Sequence, residues 1–198
     1  MSANTSLAQD KATILKVWAA VGGDEADADQ RVRRHWHECK HPLSGVISND
    51  IGKLSELTYL GLWDNALSGE IPKEIGNCKK LEHCYLMKNK LSGVIPKEIG
   101  NCIALIKLFL RENKLSGVIP KEIGNCTALT DISLYTNQLS GVIPPTFANL
   151  RNLRYFGLFN NQLSGSLPPY ICDFKNLYDI SIYNNNFCGS LPPALGNL

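Results

Sequence analysis

The segment LSGVIPKEIGNC occurs twice without change, at Leu91–Cys102 and at Leu115–Cys126, and LSGEIPKEIGNC at Leu67–Cys78 differs from it by one residue. Aligning the rest of the chain with these copies gives one frame, LxxLxLxxNxLSGxIPxxIGxC, in which each unit begins with a leucine at a constant interval. These first leucines are Leu57, Leu81, Leu105, Leu129, Leu153 and Leu177. Such a fixed period predicts a solenoid in which each unit stacks on the one before it.

Apolar residues alternate at the start of each unit. Counted from the first leucine as position 1, positions 4 and 6 are apolar in all six units. This alternation predicts one short strand per unit, with its apolar side facing a core. A single unit buries too little apolar surface to offset the conformational entropy lost when the whole unit is ordered. We therefore expect stability to come from stacking.

Three other positions never vary: position 9 is Asn, position 13 is Gly and position 16 is Pro. We expect the Asn amide to turn inward and bond backbone groups where the chain leaves the strand. The expected structural asparagine ladder is Asn65, Asn89, Asn113, Asn137, Asn161 and Asn185. Gly suits a tight bend, and Pro suits a chain leaving extended structure without needing its N–H.

With the LxxLxLxxN strand, these segments resemble the plant-type leucine-rich repeat family of receptor-kinase ectodomains and polygalacturonase-inhibiting proteins. The match covers Leu43–Leu198, beginning with the half-repeat LSGVISNDIGKL. The resemblance implies an α/β solenoid, a right-handed leucine-rich repeat superhelix of 24-residue repeats. Residues 43–198 would be a half-repeat plus six repeats, without a recognisable C-terminal cap.

The first 42 residues lie outside the repeat frame. Ser6 and Gln9 resemble a capping box, and the apolar spacing that follows predicts a short helix over residues 6–21. An acidic loop and a first strand at Arg31–Glu38 would follow. The resemblance implies that this segment is the N-terminal cap, and because only Cys39 occurs there, we expect a cap without a disulfide.

Composition excludes several classes of protein. The chain has 20 Lys and Arg against 18 Asp and Glu, and 19% of its residues are charged. This argues against nucleic-acid binding by bulk charge and against a disordered chain. No run approaches the roughly 20 apolar residues of a membrane span, and the N-terminus lacks a signal-peptide pattern. We therefore expect a cytoplasmic location, or an extracellular one if the chain is a fragment of a receptor-like protein.

No catalytic or metal site is predicted. The serines of the LSG segments recur with the repeat, as a fold requirement would, and no His or acid recurs beside them. His35, His37, Cys39 and His41 would stand about 6.6 Å apart along one strand, too far for all four to reach one tetrahedral ion. We expect no enzyme activity, no metal and no cofactor.

The seven cysteines are expected to be mostly reduced and structural. Cys78, Cys102 and Cys126 occupy position 22, where other units carry Leu or Phe. A bridge between Cys172 and Cys188 stays open as an alternative. The repeated pairs Lys73-Glu74, Lys97-Glu98 and Lys121-Glu122 are interpreted as a solubilising convex surface.

Positions 3, 5, 7 and 8 differ between units even where the next twelve residues are identical. This divergence predicts a binding surface on the concave strand face, rich in aromatic and Arg side chains. The predicted ligand-binding residues are Tyr59, Trp63, His83, Tyr85, Met87, Lys107, Phe109, Arg111, Asp131, Tyr135, Tyr155, Phe159, Asp179 and Tyr183. Replacing Trp63, Tyr135 and Phe159 by Ala is expected to abolish binding and leave thermal stability nearly unchanged.

The sequence therefore predicts a non-catalytic recognition module that binds a protein or peptide, in signalling or defence. One alternative is a fragment of an extracellular receptor-kinase-like ectodomain. Another is a structural, adhesive or ice-binding solenoid. Nucleic acid and membrane insertion are not expected, and the oligomeric state stays open.

Overall fold

The computed structural model describes residues 42–193. Within them the chain winds into stacked coils built from short strands and 3-10 helices. The strands are β1 (Ser44–Val46), β2 (Tyr59–Gly61), β3 (Ala66–Gly69), β4 (His83–Tyr85), β5 (Lys90–Val94), β6 (Lys107–Phe109), β7 (Lys114–Val118), β8 (Asp131–Ser133), β9 (Gln138–Gly141), β10 (Tyr155–Gly157), β11 (Gln162–Gly165), β12 (Asp179–Ser181) and β13 (Asn186–Phe187). The predicted cap helix and first strand lie outside the described residues.

The first sheet is the predicted one. Its six parallel strands run in the order β2, β4, β6, β8, β10, β12. Tyr59 lies opposite His83 and Lys107 lies opposite Asp131, so each residue pairs with the one at the same position of the next repeat. Each column of equivalent residues is therefore in register across this face.

The second sheet was not predicted, because only one strand per unit was expected. Its seven parallel strands follow the order β1, β3, β5, β7, β9, β11, β13. Here Ser116 pairs with Gln138, which lies two positions before the equivalent Ser140 of the next repeat. This offset shifts each coil by about 6.6 Å along the second sheet relative to the first. The coils must therefore twist about the solenoid axis.

Short 3-10 helices form the convex side. They are η1 (Asn49–Lys53), η2 (Lys73–Asn77), η3 (Lys97–Asn101), η4 (Lys121–Asn125), η5 (Pro145–Asn149) and η6 (Pro169–Asp173). In η2 to η6 the invariant Pro is the extended residue before the helix, as Pro96 is with φ −66° and ψ 133°. A Cβ on Gly100 would run into the carbonyl of Glu122 in the next coil, which explains the glycine of IGNC.

One continuous core fills the solenoid, and it confirms the apolar frame. In the central coils the frame residues are essentially inaccessible, as Leu105, Leu108, Leu110 and Ile123 show at 0% exposure. In the outer coils Leu57, Leu177, Ile180 and Ile182 are only partly buried. Burial therefore depends on having a neighbouring coil on both sides.

The asparagine ladder confirms the scaffold role predicted for position 9. The side-chain amide of Asn113 donates to the carbonyls of Leu110 at 3.0 Å and of Leu86, in the preceding coil, at 3.0 Å. Its Oδ1 accepts from the backbone N–H of Leu91 at 3.0 Å. Each asparagine thus joins two coils where the chain leaves the first sheet.

Candidate ligand-binding face

The predicted ligand-binding residues all lie on the outer surface of the first sheet or in the turn directly after it. Thirteen of the fourteen are half-buried, and only Tyr183 is exposed, at 58%. Their aromatic rings cover one another, so the strip is less exposed than the sequence indicated. We therefore expect the triple alanine variant to lose stability as well as binding, which revises the expectation from the sequence.

Four residues at position 7 form a stack along the C-terminal half. The rings of Tyr135 and Phe159 are 4.0 Å apart at 14°, and those of Phe159 and Tyr183 are 4.6 Å apart at 10°. The guanidinium of Arg111 lies 5.3 Å from the centre of the Tyr135 ring. These spacings match the roughly 4.8 Å between strands, so the rings lie face to face and present their edges outward.

A second aromatic cluster occupies positions 3 and 5 in the N-terminal half. Tyr85 meets Tyr59 edge-on at 5.3 Å and lies 5.0 Å from Phe109. His83 lies 5.9 Å from both tyrosine rings. Because this cluster sits at positions 3 and 5 and the stack at position 7, the aromatic strip formed by these ring contacts crosses the face diagonally, and Trp63 and Tyr155 lie to either side of it. Trp63 and Met87 are half-buried in the N-terminal part of the position 7 column.

Two glycines that were not predicted as part of the site support the strip. A Cβ on Gly61 would lie 2.6 Å from Cε1 of Tyr59, and one on Gly157 would lie 2.7 Å from the Tyr155 hydroxyl. Each tyrosine therefore lies flat over the glycine two residues later in its own strand. The signal was present as a Tyr-x-Gly pattern in two units.

The charged side chains of the face are held by local contacts. Arg111 pairs with Glu112. The hydroxyl of Thr130 donates to Asp131 at 2.5 Å, and that of Ser181 donates to Asp179 at 2.8 Å. Lys107 lies opposite Asp131 in the strand pairing. Positive and negative groups thus alternate over the centre of the face.

Two tyrosine hydroxyls stay protonated well above neutral pH. Burial raises the pKa of Tyr135, partly opposed by Arg111, and burial raises the pKa of Tyr155. Ser133 Oγ is buried and makes no well-formed hydrogen bond within the described residues. It lies near the Tyr155 hydroxyl and partly opposes the effect of burial on the pKa of Tyr155. Both tyrosines can therefore donate a hydrogen bond.

Position 8 has a backbone role that sequence reasoning did not find. All six residues there have φ between 52° and 57°, in the left-handed region. The residues are Asp64, Lys88, Glu112, Thr136, Asn160 and Asn184. The amide of Asn184 donates to Asn160 at 2.8 Å, and that of Asn160 to Thr136 at 3.3 Å. These side chains form a polar rim beside the ring stack.

Four of the cysteine side chains are part of the core. Cys78, Cys84, Cys102 and Cys126 are buried and free, and Cys172 and Cys188 are also unbridged. Burial raises the pKa of Cys102 to about 12 and of Cys126 to about 11, from 9.0. A raised native pKa stabilises the fold fully below pH 9, and this contribution is lost as pH rises towards 11 to 12.

Residues 42–193 contain no cluster of three His, Cys, Asp or Glu side chains that could hold a metal ion. His35, His37, Cys39 and His41 lie outside the described residues. Over the same range, no helix has the length and apolar character needed to cross a membrane.

Comparisons with known proteins follow the repeat frame. A family model described as "Leucine rich repeat" matches residues 103–163, and a second, "Leucine Rich Repeat", matches 56–78, 80–102 and 176–198. No curated protein matches the chain.

Solved structures show the same architecture. The plant peptide hormone receptor RGFR1 in complex with RGF2 superposes with a TM-score of 0.78 at 41% identity, over 80% of this chain and 26% of that chain. The Arabidopsis receptor kinase HAESA, in complex with the peptide hormone IDA and the co-receptor SERK1, superposes with a TM-score of 0.77 at 38% identity, over 79% of this chain and 26% of that chain. The BIR2 ectodomain from Arabidopsis thaliana superposes with a TM-score of 0.59 at 36% identity, over 66% of this chain and 68% of that chain. The chain thus spans about a quarter of the two receptors.

Proposed function

The chain belongs to the plant-type leucine-rich repeat family, and on this basis we propose that its concave face binds an extended peptide or protein segment without catalysing a reaction on it. The observation that carries the proposal is the diagonal aromatic strip. It runs from Tyr59 through Tyr85 and Phe109 to the stack that ends at Tyr183. A strip that crosses successive coils suits an extended ligand.

The shape of the strip favours a peptide over a carbohydrate. A sugar ring packs against an open aromatic face, but the faces of Tyr135 and Phe159 are covered by their neighbours in the stack. The exposed ring edges and the polar rim at position 8 suit apolar side chains and a peptide backbone. Mixed charges around Lys107 and Asp131 also suit a peptide more than a phosphate backbone.

The relatives support a role in signalling. RGFR1 and HAESA are receptors solved with peptide hormones, RGF2 and IDA. We propose by analogy that this chain serves as the recognition part of a receptor-like protein. The chain covers about a quarter of each receptor, so its own ligand is to be found by experiment.

The same relatives favour the extracellular alternative over the cytoplasmic location expected from the sequence. BIR2 and the receptor bound by CASPARIAN STRIP INTEGRITY FACTOR 2 are described as ectodomains. We therefore propose that the chain is part of an ectodomain. Localising a fluorescent fusion of the full-length gene product at the plasma membrane would support this, and a uniform cytosolic signal would contradict it.

The binding proposal is tested with a displayed library of random dodecapeptides selected on the whole chain. Selected peptides should lose at least tenfold in affinity when Arg111→Gln or Tyr183→Ser is introduced. Arg111 is the charged end of the stack, and Tyr183 is its exposed end, so both changes alter the strip with little effect on the core.

The matched control is Lys175→Gln, an exposed charge removed outside the concave face. Peptides that bind the control and both strip variants equally would contradict the proposal. Thermal melting of each variant separates a lost ligand contact from a lost fold.

A further inference from the structure

A second apolar surface lies where the second sheet meets the 3-10 helices, away from the concave face. Val46, Val94, Val118 and Val142 form a row there and are 40, 55, 60 and 53% exposed. Glu70 occupies the place between Val46 and Val94. We call this row of five residues the valine ridge.

Glycines in left-handed turns hold the ridge in place. A Cβ on Gly117, where φ is +75°, would lie 2.9 Å from Cγ1 of Val94. A Cβ on Gly141 would likewise lie 3.0 Å from Cγ1 of Val118. Each valine therefore lies over the glycine of the next coil, so the position of the ridge is set by contacts within one copy.

A groove of about 1040 Å³ runs beside the ridge across five coils. Its floor includes Ile71, Ile95 and Ile119, which are nearly fully buried. Its far wall carries the repeated Lys-Glu pairs that the sequence analysis assigned to solubility. Each step along the ridge combines the roughly 4.8 Å between strands with the roughly 6.6 Å offset of the second sheet, so the four steps make both ridge and groove about 33 Å long.

We propose that a second copy of this chain covers this surface, with the ridge of each copy in the groove of the other. A two-fold interface requires a patch that is complementary to itself. A ridge beside a parallel groove of the same length meets this requirement when the two-fold axis runs along the ridge. Both copies have the same coil spacing, so equivalent coils of the two copies meet at the same level.

Charge supports the same arrangement. In this dimer each ridge residue of one copy lies opposite the groove wall of the equivalent coil in the other copy. Glu70, the one charged residue of the ridge, would face Lys73, which is exposed and has no ion pair within residues 42–193. The Glu70 side chain packs over Gly93, with Cγ 2.8 Å from a Cβ built there, so its carboxylate is held at the ridge.

The size of the surface predicts a weak dimer. The contact is one ridge and one groove wide, which is small for a specific interface, so we expect association at micromolar concentration rather than an obligate pair. Sedimentation equilibrium of the whole chain, from about 5 to 500 µM, should show the mass rising from monomer to dimer.

Two ridge variants and one control test the contact. The double variant Val94→Lys/Val118→Lys should weaken association at least tenfold, because it places positive charges opposite Lys97 and Lys121 of the other copy. Ser166→Lys puts the same charge at the next position of the row, beyond the groove, and should leave association unchanged. Both valines are more than half exposed, so melting temperatures should stay close to wild type.

A charge exchange tests the geometry. Glu70→Lys alone and Lys73→Glu alone should each weaken self-association, since each places like charges opposite one another. Mixing the two variants should restore a heterodimer, because both cross-copy pairs are then of opposite sign. A wild-type chain that stays monomeric throughout, or a mixture that does not associate, would overturn the proposal and leave the groove to another occupant.

Discussion

The concave face and the valine ridge lie on the same stack of coils but use repetition in opposite ways. On the concave face the repeats differ, and Tyr59, Arg111 and Phe159 give each coil its own contacts. On the ridge the repeats are nearly identical, so a single contact recurs from coil to coil. Divergent copies can recognise an irregular ligand, whereas identical copies suit a partner with the same period.

The two faces also differ in what their side chains do for the fold. Aromatic residues of the concave face are half-buried against one another, so part of their role is structural. Ridge valines are 40 to 60% exposed and contribute less to the fold. The face that looks more like a binding site in sequence is thus also the one that stability constrains more.

Replacing one asparagine of the ladder should destabilise the coils that carry both the concave face and the valine ridge. Asn113→Ala leaves the carbonyls of Leu86 and Leu110 and the N–H of Leu91 without their side-chain partner. We expect the free energy of unfolding to fall by about 3–4 kcal/mol. Urea denaturation measures this, with the exposed Asn125→Ala as the control, for which a change below about 0.5 kcal/mol is expected. Equal effects of the two changes would show that the ladder is not a major support.

The contrast between the faces predicts unequal costs of truncation. Phe159→Ala removes the middle ring of the stack and should cost about 2 kcal/mol, since two ring contacts are lost. Val118→Ala, at 60% exposure, should cost about 0.5 kcal/mol or less. Denaturation of both variants would contradict the contrast if the valine change proved the more costly.

The glycines under the ridge can be tested by a double-mutant cycle. Gly117→Ala places a methyl group against Val94 at a φ of +75°, and should cost about 1–2 kcal/mol. Adding Val94→Ala removes the clash but not the backbone strain. If the double variant regains part of the stability lost in Gly117→Ala, the added methyl group contacts Val94. If the stability changes of the two single variants simply add, the cost of Gly117→Ala comes from the backbone conformation alone.

The smallest expected effect is a gain. Thr136 is a β-branched residue at φ 55°, a conformation that Asn160 and Asn184 adopt at the equivalent position with less strain. Thr136→Asn should stabilise the chain by about 0.5–1 kcal/mol. The side-chain oxygen of the new asparagine can accept a hydrogen bond from the amide of Asn160, just as the side-chain oxygen of Asn160 accepts one from the amide of Asn184. A lower melting temperature would indicate that the Thr136 side chain supports the rim by its own contacts.

Repetition along the chain was enough to predict the solenoid, its period, the first sheet, the apolar frame and the asparagine ladder. These features recur in every unit, and each follows from a local requirement: an alternating strand, a buried amide, or a backbone that only Gly or Pro fits. The positions of the predicted concave residues on one face followed from the same period, because equivalent residues must form columns in stacked coils.

How neighbouring coils meet could be seen only in the folded molecule. The second sheet depends on backbone pairing between coils with an offset, Ser116 opposite Gln138, which no pattern inside one repeat indicates. The ring stack, the tyrosines lying over Gly61 and Gly157, and the ridge beside its groove are likewise contacts across coils or rotamer choices. Such contacts depend on distances in space, and a repeat read along one chain specifies which residues recur but not which of them touch.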